Sequence, residues 1–304
     1  MTLNPSFNQV RLYSEPIELD HSSVIPGHQI PVQHQKKPGL QEELDDPKSV
    51  SAHIPSVEES YETHKATGKL AGKRAIITSG DSRISRAIAI LFAMEEASSL
   101  IVYLPEEERG AQETKGRVQD TGHYCHCLAV DVRKKENCRK VVDTAVQCMG
   151  GIDILVNNAG FQNMVEDISG LEEDQWGRTF DTNTHPFFYL SKYALRHMGS
   201  GSSIINCGSI NAYVGRPDLL DYTATKGAIV AFTRGLSNQQ VGRVGTPLMP
   251  STMTSSAMDQ FSSVPMGRPG QPSEVATCFV FLASQDSSYI SGQPLHPNGV
   301  AVNG

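Results

Sequence analysis

From Lys69 onward, short apolar runs alternate with longer stretches whose apolar residues recur at helical spacing, and this alternation constrains the fold more than any other feature. Runs at 74–78, 99–103, 127–131, 152–156 and 203–207 predict buried strands. Between them, 84–95, 106–118, 134–149 and most of 174–197 predict helices, and a further helix runs from Tyr222 to about Gln239. Strands separated by helices cannot pair as hairpins; they form a mainly parallel sheet covered on both faces. The expected fold class is therefore α/β: a Rossmann-like, doubly wound parallel sheet in three α/β/α layers. In such sheets ligands bind beyond the carboxyl ends of the strands. The residues just after each strand are the ones to inspect for chemistry.

Residues 1–65 read differently. They are rich in Pro, Gln, His, Ser and Glu, and Pro26, Pro31, Pro38, Pro47 and Pro55 interrupt any regular element. They are expected to form an extended or disordered N-terminal arm, with the Rossmann-like domain at 66–304. The net charge of −7, without a long basic run, argues against nucleic acid or an anionic membrane as partner. No apolar stretch approaches the roughly 20 residues of a membrane span. The acidic N-terminus lacks a leader pattern, so the expected location is cytoplasmic. Six cysteines in 304 residues do not read as a disulfide framework. The run His123-Tyr124-Cys125-His126-Cys127 could hold a metal, but no second ligand pair stands at suitable spacing. It is read as a strand with alternating faces, and no metal is expected.

The chemistry lies after the fourth and fifth strands. Asn157-Asn158-Ala159-Gly160 follows one, Ser209 follows the other, and Tyr222 stands thirteen residues beyond Ser209. Tyr222 and Lys226, four apart, share one helix face. A phenol ordinarily holds its proton until a pKa of about 10, and a neighbouring ammonium favours the phenolate. A serine hydroxyl can hold a carbonyl oxygen while the tyrosine protonates it, and Asn183, in the intervening helix, can hold a water that resupplies the proton. Tyr-x-x-x-Lys alone is common by chance; its weight comes from this company.

Together these residues resemble the short-chain dehydrogenase/reductase family over about 68–304. The likeness is greatest to a subgroup with an N-terminal extension that includes glucose/ribitol-dehydrogenase-like and aldehyde-reductase members. Residues 31–35, 41–47, 104–108, 221–226 and 266–271 carry that finer resemblance. It implies a nicotinamide-dependent oxidoreductase acting on a small-molecule carbonyl or alcohol. Tyr222 would be the acid/base, Lys226 would also hold the nicotinamide ribose, Ser209 would orient the carbonyl and Asn183 would support a proton relay. It further implies cofactor contacts at Ser79, Asp81, Arg83, Ile84, Tyr103, Asp131, Val132, Asn158, Ala159, Gly160, Tyr222, Lys226 and Thr246. Asp131 reads equally as a helix N-cap. Ala212, Tyr213 and Phe161 are candidates for the substrate pocket. A homodimer or homotetramer is expected from the resemblance alone.

Two segments depart from the family pattern. The phosphate loop, Thr-Gly-x-x-x-Gly-x-Gly in the family, here reads Thr78-Ser79-Gly80-Asp81-Ser82-Arg83-Ile84-Ser85, so all three glycine positions are occupied by Ser79, Arg83 and Ser85. A left-handed backbone costs a side-chain-bearing residue about 1–2 kcal/mol. Arg83 either obstructs the pyrophosphate or pairs with it; the steric terms favour weakened binding. After the last helix, a strand and its Pro-Gly turn are missing, roughly ten residues at ordinary element lengths. The six residues 241–246 could reach about 20 Å as a short substitute strand; the alternatives are a gap in the sheet or a partly unwound helix. No acid directly ends the second strand, which favours NADP, with NAD possible. The rival to an enzyme is a catalytically impaired assembly subunit with the same fold, suggested by the altered loop and the missing strand.

Overall fold

The computed structural model describes residues 52–56, 60–240, 244–247, 266, 268 and 270–299. Nine strands and eight α-helices are described. A hairpin comes first, β1 (His53–Pro55) and β2 (Tyr61–Thr63). The alternating units follow: β3 (Arg74–Thr78), α1 (Arg83–Met94), β4 (Ser98–Tyr103), α2 (Glu108–Asp120), β5 (Cys125–Ala129), α3 (Lys135–Met149) and β6 (Ile154–Asn157). The second half holds α4 (Glu173–Asn183), α5 (His185–Ala194), β7 (Ser203–Asn206), α6 (Asn211–Val214), α7 (Leu220–Gln239), β8 (Val244–Pro247), α8 (Pro272–Ala283) and β9 (Pro294–Leu295).

Strands β3 to β9 form one sheet in the order β5-β4-β3-β6-β7-β8-β9, with every neighbouring pair parallel. Strand order reverses between β3 and β6, which opens a crevice at their carboxyl ends. Alternate residues of each strand feed opposite cores. Ala75 and Ile77 of β3 pack with α1, α2 and α8, whereas Ile76 packs with α3 and α5. Phe92, Phe279 and Phe187 are fully buried. These are the expected three layers.

The structure resolves the shortened region. β8 takes the place beside β7, pairing Ile204 with Val244 and Ile205 with Gly245, and then carries β9 at Thr246 and Pro247. Of the three possibilities, the short substitute strand is the one found, because an extended segment spans the sheet in few residues. The helix expected over most of 174–197 is divided at Thr184. Pro186 lies in the first turn of α5, where its missing N–H leaves no bond unmade.

The arm expected to lack regular elements differs at its C-terminal end, since β1 and β2 pair antiparallel, His53 opposite Thr63. Alternation over three residues is too short to stand out in sequence. The chain that follows is held by Glu95, whose side chain is 1% exposed. It accepts from His64 Nε2 at 2.7 Å and from the backbone N–H groups of Thr67 and Lys69 at 3.0 and 2.9 Å. Burial opposes its ionisation, but these donors hold the carboxyl below the ordinary glutamate range. The rest of the expected arm, residues 1–51 and 57–59, lies outside the described residues.

Helix α1 ends in a Schellman arrangement: Ala97 N–H donates to Phe92 at 2.9 Å and Glu96 N–H to Ala93 at 3.0 Å. The left-handed residue this requires is Glu96, at φ 72°. Because glycine adopts that conformation without the Cβ clash, Glu96→Gly is expected to stabilise the fold by about 1 kcal/mol, net of glycine's larger unfolded-state entropy. Thermal unfolding should register this as a midpoint about 2–4 °C higher.

Candidate active site

Thr78, Asn157 and Asn206 end β3, β6 and β7, so the segments after them meet at one edge of the sheet. Thr78 ties two of these together: its Oγ1 accepts from the backbone N–H groups of Asn158 and Ala159 at 2.8 and 2.9 Å. Beyond β7, Ser209 is fully buried, and its Oγ accepts from Asn211 N–H at 3.2 Å where α6 begins. Helix α6 packs on α7, whose first turns carry Tyr222 and Lys226, 2% and 3% exposed. Lys226 Nζ donates to the Cys207 carbonyl at 2.9 Å, which anchors it at the end of β7. The same nitrogen stands 5.3 Å from the Tyr222 ring centroid and 6.0 Å from that of Phe187.

Asn183, the last residue of α4, is also fully buried. Its Oδ1 accepts from Phe161 N–H at 2.6 Å; its Nδ2 donates to the Phe161 carbonyl at 2.9 Å and to Thr225 Oγ1 at 3.0 Å. The helix break after Asn183 frees this residue to clamp the chain just past Gly160. Asp221, beside Tyr222, accepts from Thr179 Oγ1 at 2.7 Å and from Gln175 Nε2 at 3.1 Å, locking α7 to α4. Asn183, Ser209, Tyr222 and Lys226 are thus brought to one edge. Thr225, Cys207, Thr78 and Asp221 support them and were not singled out from the sequence. Thr225 alone left a signal, three residues after Tyr222 on the same helix.

The loop between β3 and α1 keeps a backbone suited to glycine. Ser79 lies at φ 54° and Arg83 at φ 49°. Gly80 is indispensable for close approach, since a Cβ there would stand 2.5 Å from the Ile101 Cβ. Ser85, at the third altered position, instead finds partners: its Oγ donates to the Thr78 carbonyl at 3.1 Å and meets Asn158 Nδ2 at 2.6 Å. The N-cap of α1, Ser82, makes no side-chain cap, and no acidic residue occupies the first turn. The N–H groups of that turn can serve an anion such as a pyrophosphate.

Two carboxyls sit beside this helix end. Asp81 is 5% exposed, and its Oδ1 has no hydrogen-bond partner. Burial pushes its carboxyl above the ordinary aspartate range, against the pull of Arg86 and Arg83. Glu107 accepts from Leu104 N–H at 2.9 Å, and burial together with Asp81 pushes it up to about 7. Arg83 is half-buried next to them, its charge disfavoured by that burial.

Other expected contacts fall differently. The Tyr103 side chain is buried in the core beneath α1 and α2, its hydroxyl donating to Glu108 at 2.9 Å, which leaves only its backbone for a ligand. Val132 is likewise a core residue, and its carbonyl accepts from Cys138 Sγ. Asp131 is not the N-cap of α3, a place taken by Lys134; instead its carboxylate accepts from Arg133 N–H and guanidinium, which lowers its pKa. Ile84 is half-buried against the core. Asn158, Ala159 and Gly160 follow β6 directly, and Thr246 is a backbone partner of Pro294. Of the pocket candidates, Tyr213 has its ring 5.2 Å from that of His296, and Tyr213 Oη and His296 Nδ1 are both buried without hydrogen-bond partners among the described residues. Such atoms suit a polar group on a ligand.

A family model described as enoyl-(acyl carrier protein) reductase matches residues 79–299. The glucose and ribitol dehydrogenase of Daucus carota is 44% identical over 295 residues, 91% of this chain and 98% of the carrot protein. The chloroplastic NADPH-dependent aldehyde reductase 1 of Arabidopsis thaliana is 45% identical over 261 residues, 80% of this chain and 91% of the relative. Among solved structures, a short-chain dehydrogenase from Burkholderia cenocepacia in complex with NADP superposes with a TM-score of 0.72 at 28% identity, covering 76% of this chain and 98% of that one.

Proposed function

The chain belongs to the short-chain dehydrogenase/reductase family and is an NAD(P)-dependent oxidoreductase, and from this premise we propose that it is an NADP-dependent reductase or dehydrogenase of a small carbonyl/alcohol substrate with Tyr222 as acid/base. The observation that carries the proposal is the convergence of buried Ser209, Tyr222, Lys226 and Asn183 on one sheet edge. The nicotinamide, when bound, supplies or accepts the hydride. Ser209 holds the substrate oxygen and Tyr222 passes it a proton, or takes one in the oxidative direction. Lys226 stabilises charge developing on the tyrosine oxygen and holds the nicotinamide ribose. Asn183 fixes the chain at Phe161 and orients the relay. The orphaned Tyr213 Oη and His296 Nδ1 would receive a hydroxyl of the substrate.

Several features fit the cofactor. The uncapped N-terminus of α1 suits the pyrophosphate, and Asn158, Ala159 and Gly160, directly after β6, would border the cofactor. The preference for NADP rests on β4 ending without an acid and on the names of the Arabidopsis relative and the Burkholderia complex. Six free cysteines support a cytoplasmic location. Among the described residues no helix is long and apolar enough to cross a membrane. A homodimer or homotetramer is proposed from family membership.

Fluorescence titration with NADPH and NADH tests the reading. Tighter binding of NADPH is expected; no binding of either at millimolar concentration would reject it. The same titration carries a pH signature. Glu107 is neutral below about 7 and ionised above it, so raising the pH places a negative charge beside the phosphates. The NADPH dissociation constant should rise as pH passes through 7, and Glu107→Gln should flatten that rise.

A further inference from the structure

Tyr213 Oη and His296 Nδ1 are buried without hydrogen-bond partners among the described residues, although each belongs to a half-buried side chain. They come from distant parts of the chain. Tyr213 lies on α6, four residues past Ser209, with its N–H donating to the Ile210 carbonyl at 2.9 Å. Helix α6 packs on α7, which carries Tyr222 and Lys226. His296 directly follows β9, whose parallel pairing of Leu295 with Pro247 brings it out at the carboxyl edge of the sheet, the edge where Ser209 follows β7. The His296 carbonyl accepts from Asn298 N–H at 2.9 Å, which turns the chain just beyond it. The two rings meet edge to face, 5.2 Å between centroids and 66° between planes. The proton transfer assigned to Ser209, Tyr222, Lys226 and Asn183 uses neither atom. We propose, resting on the carbonyl/alcohol reading of this edge, that Tyr213 and His296 form a hydroxyl-recognition subsite and that the substrate is a hydroxylated carbonyl compound or the polyol to which it is reduced.

The chemistry of the pair selects a hydroxyl. A phenol O–H donates one hydrogen bond and accepts others, and a neutral imidazole nitrogen donates or accepts according to its tautomer. Burial holds His296 below the ordinary histidine range, so the ring is neutral at neutral pH. A hydroxyl both donates and accepts, and so it matches the pair in either tautomer; a carboxylate only accepts and an ammonium only donates. Two neutral partners would also leave a buried charge uncompensated. An apolar group in the same place would leave both atoms unbonded. A site built around a substrate hydroxyl rejects the analogue lacking it for that reason. Ser209 and Tyr222 act on the oxygen of the reacting carbonyl, so the recognised hydroxyl is a different one, on another carbon of the substrate.

Glyceraldehyde and propanal, equal in chain length and different in their hydroxyls, are the probes. With NADPH or NADH as reductant, the unmutated protein should show a kcat/KM at least about a hundredfold higher for glyceraldehyde. Tyr213→Phe keeps the ring and removes Oη, and His296→Leu removes Nδ1. Each should lower the glyceraldehyde-to-propanal ratio of kcat/KM by at least about tenfold. Because the ratio is taken within one protein sample, it cancels any loss of folded protein, and its change between variants cancels the intrinsic reactivity of the two aldehydes. A ratio near one in the unmutated protein, or a ratio that neither substitution moves, would overturn the subsite while leaving the carbonyl/alcohol reading in place. Absence of turnover with both aldehydes would overturn that reading and the subsite with it.

Discussion

Tyr222→Phe is expected to lower kcat by roughly 10²–10⁴-fold, the range that a positioned acid/base contributes, while leaving NADPH affinity nearly unchanged. The ring is 2% exposed and packed where α7 meets the sheet, so phenylalanine retains the apolar contacts and removes only the hydroxyl. Lys226 keeps its anchor on the Cys207 carbonyl at 2.9 Å without that hydroxyl, so the nicotinamide side of the site stays in place. Loss confined to kcat separates proton transfer from binding. Lys226→Met should behave differently, raising the cofactor dissociation constant as well as lowering kcat, because the ammonium is proposed to serve both. Steady-state rates together with fluorescence titration distinguish the two patterns. Unchanged turnover in Tyr222→Phe would remove that residue from the mechanism.

The phosphate loop supports an effect of opposite sign. Ser79 and Arg83 already hold left-handed backbone, at φ 54° and 49°, so the conformation is present and its cost is borne by the folded chain. Restoring glycine at both should stabilise the protein by about 2 kcal/mol, from about 1–2 kcal/mol of relief per residue less glycine's unfolded-state entropy. Arg83→Gly also clears a half-buried side chain from the N-terminus of α1. NADPH should then bind at least about tenfold tighter, equivalent to about 1.4 kcal/mol. Arg83→Met separates bulk from charge: it keeps the obstruction and removes the guanidinium, so affinity should stay low. Weaker binding in Arg83→Gly would instead mean that the guanidinium pairs with phosphate. Urea unfolding and cofactor titration of the three variants provide the readings.

Much of this arrangement was legible in the chain itself, and what was not has physical reasons. The strands of the central sheet stand out because a two-sided parallel strand is a continuous apolar run, as in Ala75-Ile76-Ile77. Tyr222 and Lys226 were legible because four residues make just over one helical turn. Hairpin β1–β2 was not, since strands of three residues hold too little pattern to register. Neither was the acid pair: Asp81 and Glu107 are 26 residues apart and belong to loops after different strands, which only the parallel pairing of β3 with β4 brings together. Tyr103 was read as a cofactor contact, and the strand pleat turns its side chain into the core.

By its own periodicity and spacing, then, the amino-acid sequence determined the α/β class, the edge of the sheet where the candidate site lies and the residues proposed to move a proton there. Tertiary structure decided three further matters. It closed the sheet across the shortened segment, because β8 pairs with β7 on one side and β9 on the other. It retained the glycine-like loop without the glycines, because the packing of Gly80 on Ile101 and the Ser85–Asn158 contact hold the backbone there. It also set the charge beside that loop, because the protonation of Glu107 depends on burial and on a neighbour distant in the chain. Local pattern is written residue by residue, whereas closure, strain and protonation are energies of contacts between segments, and these exist only once the segments have met.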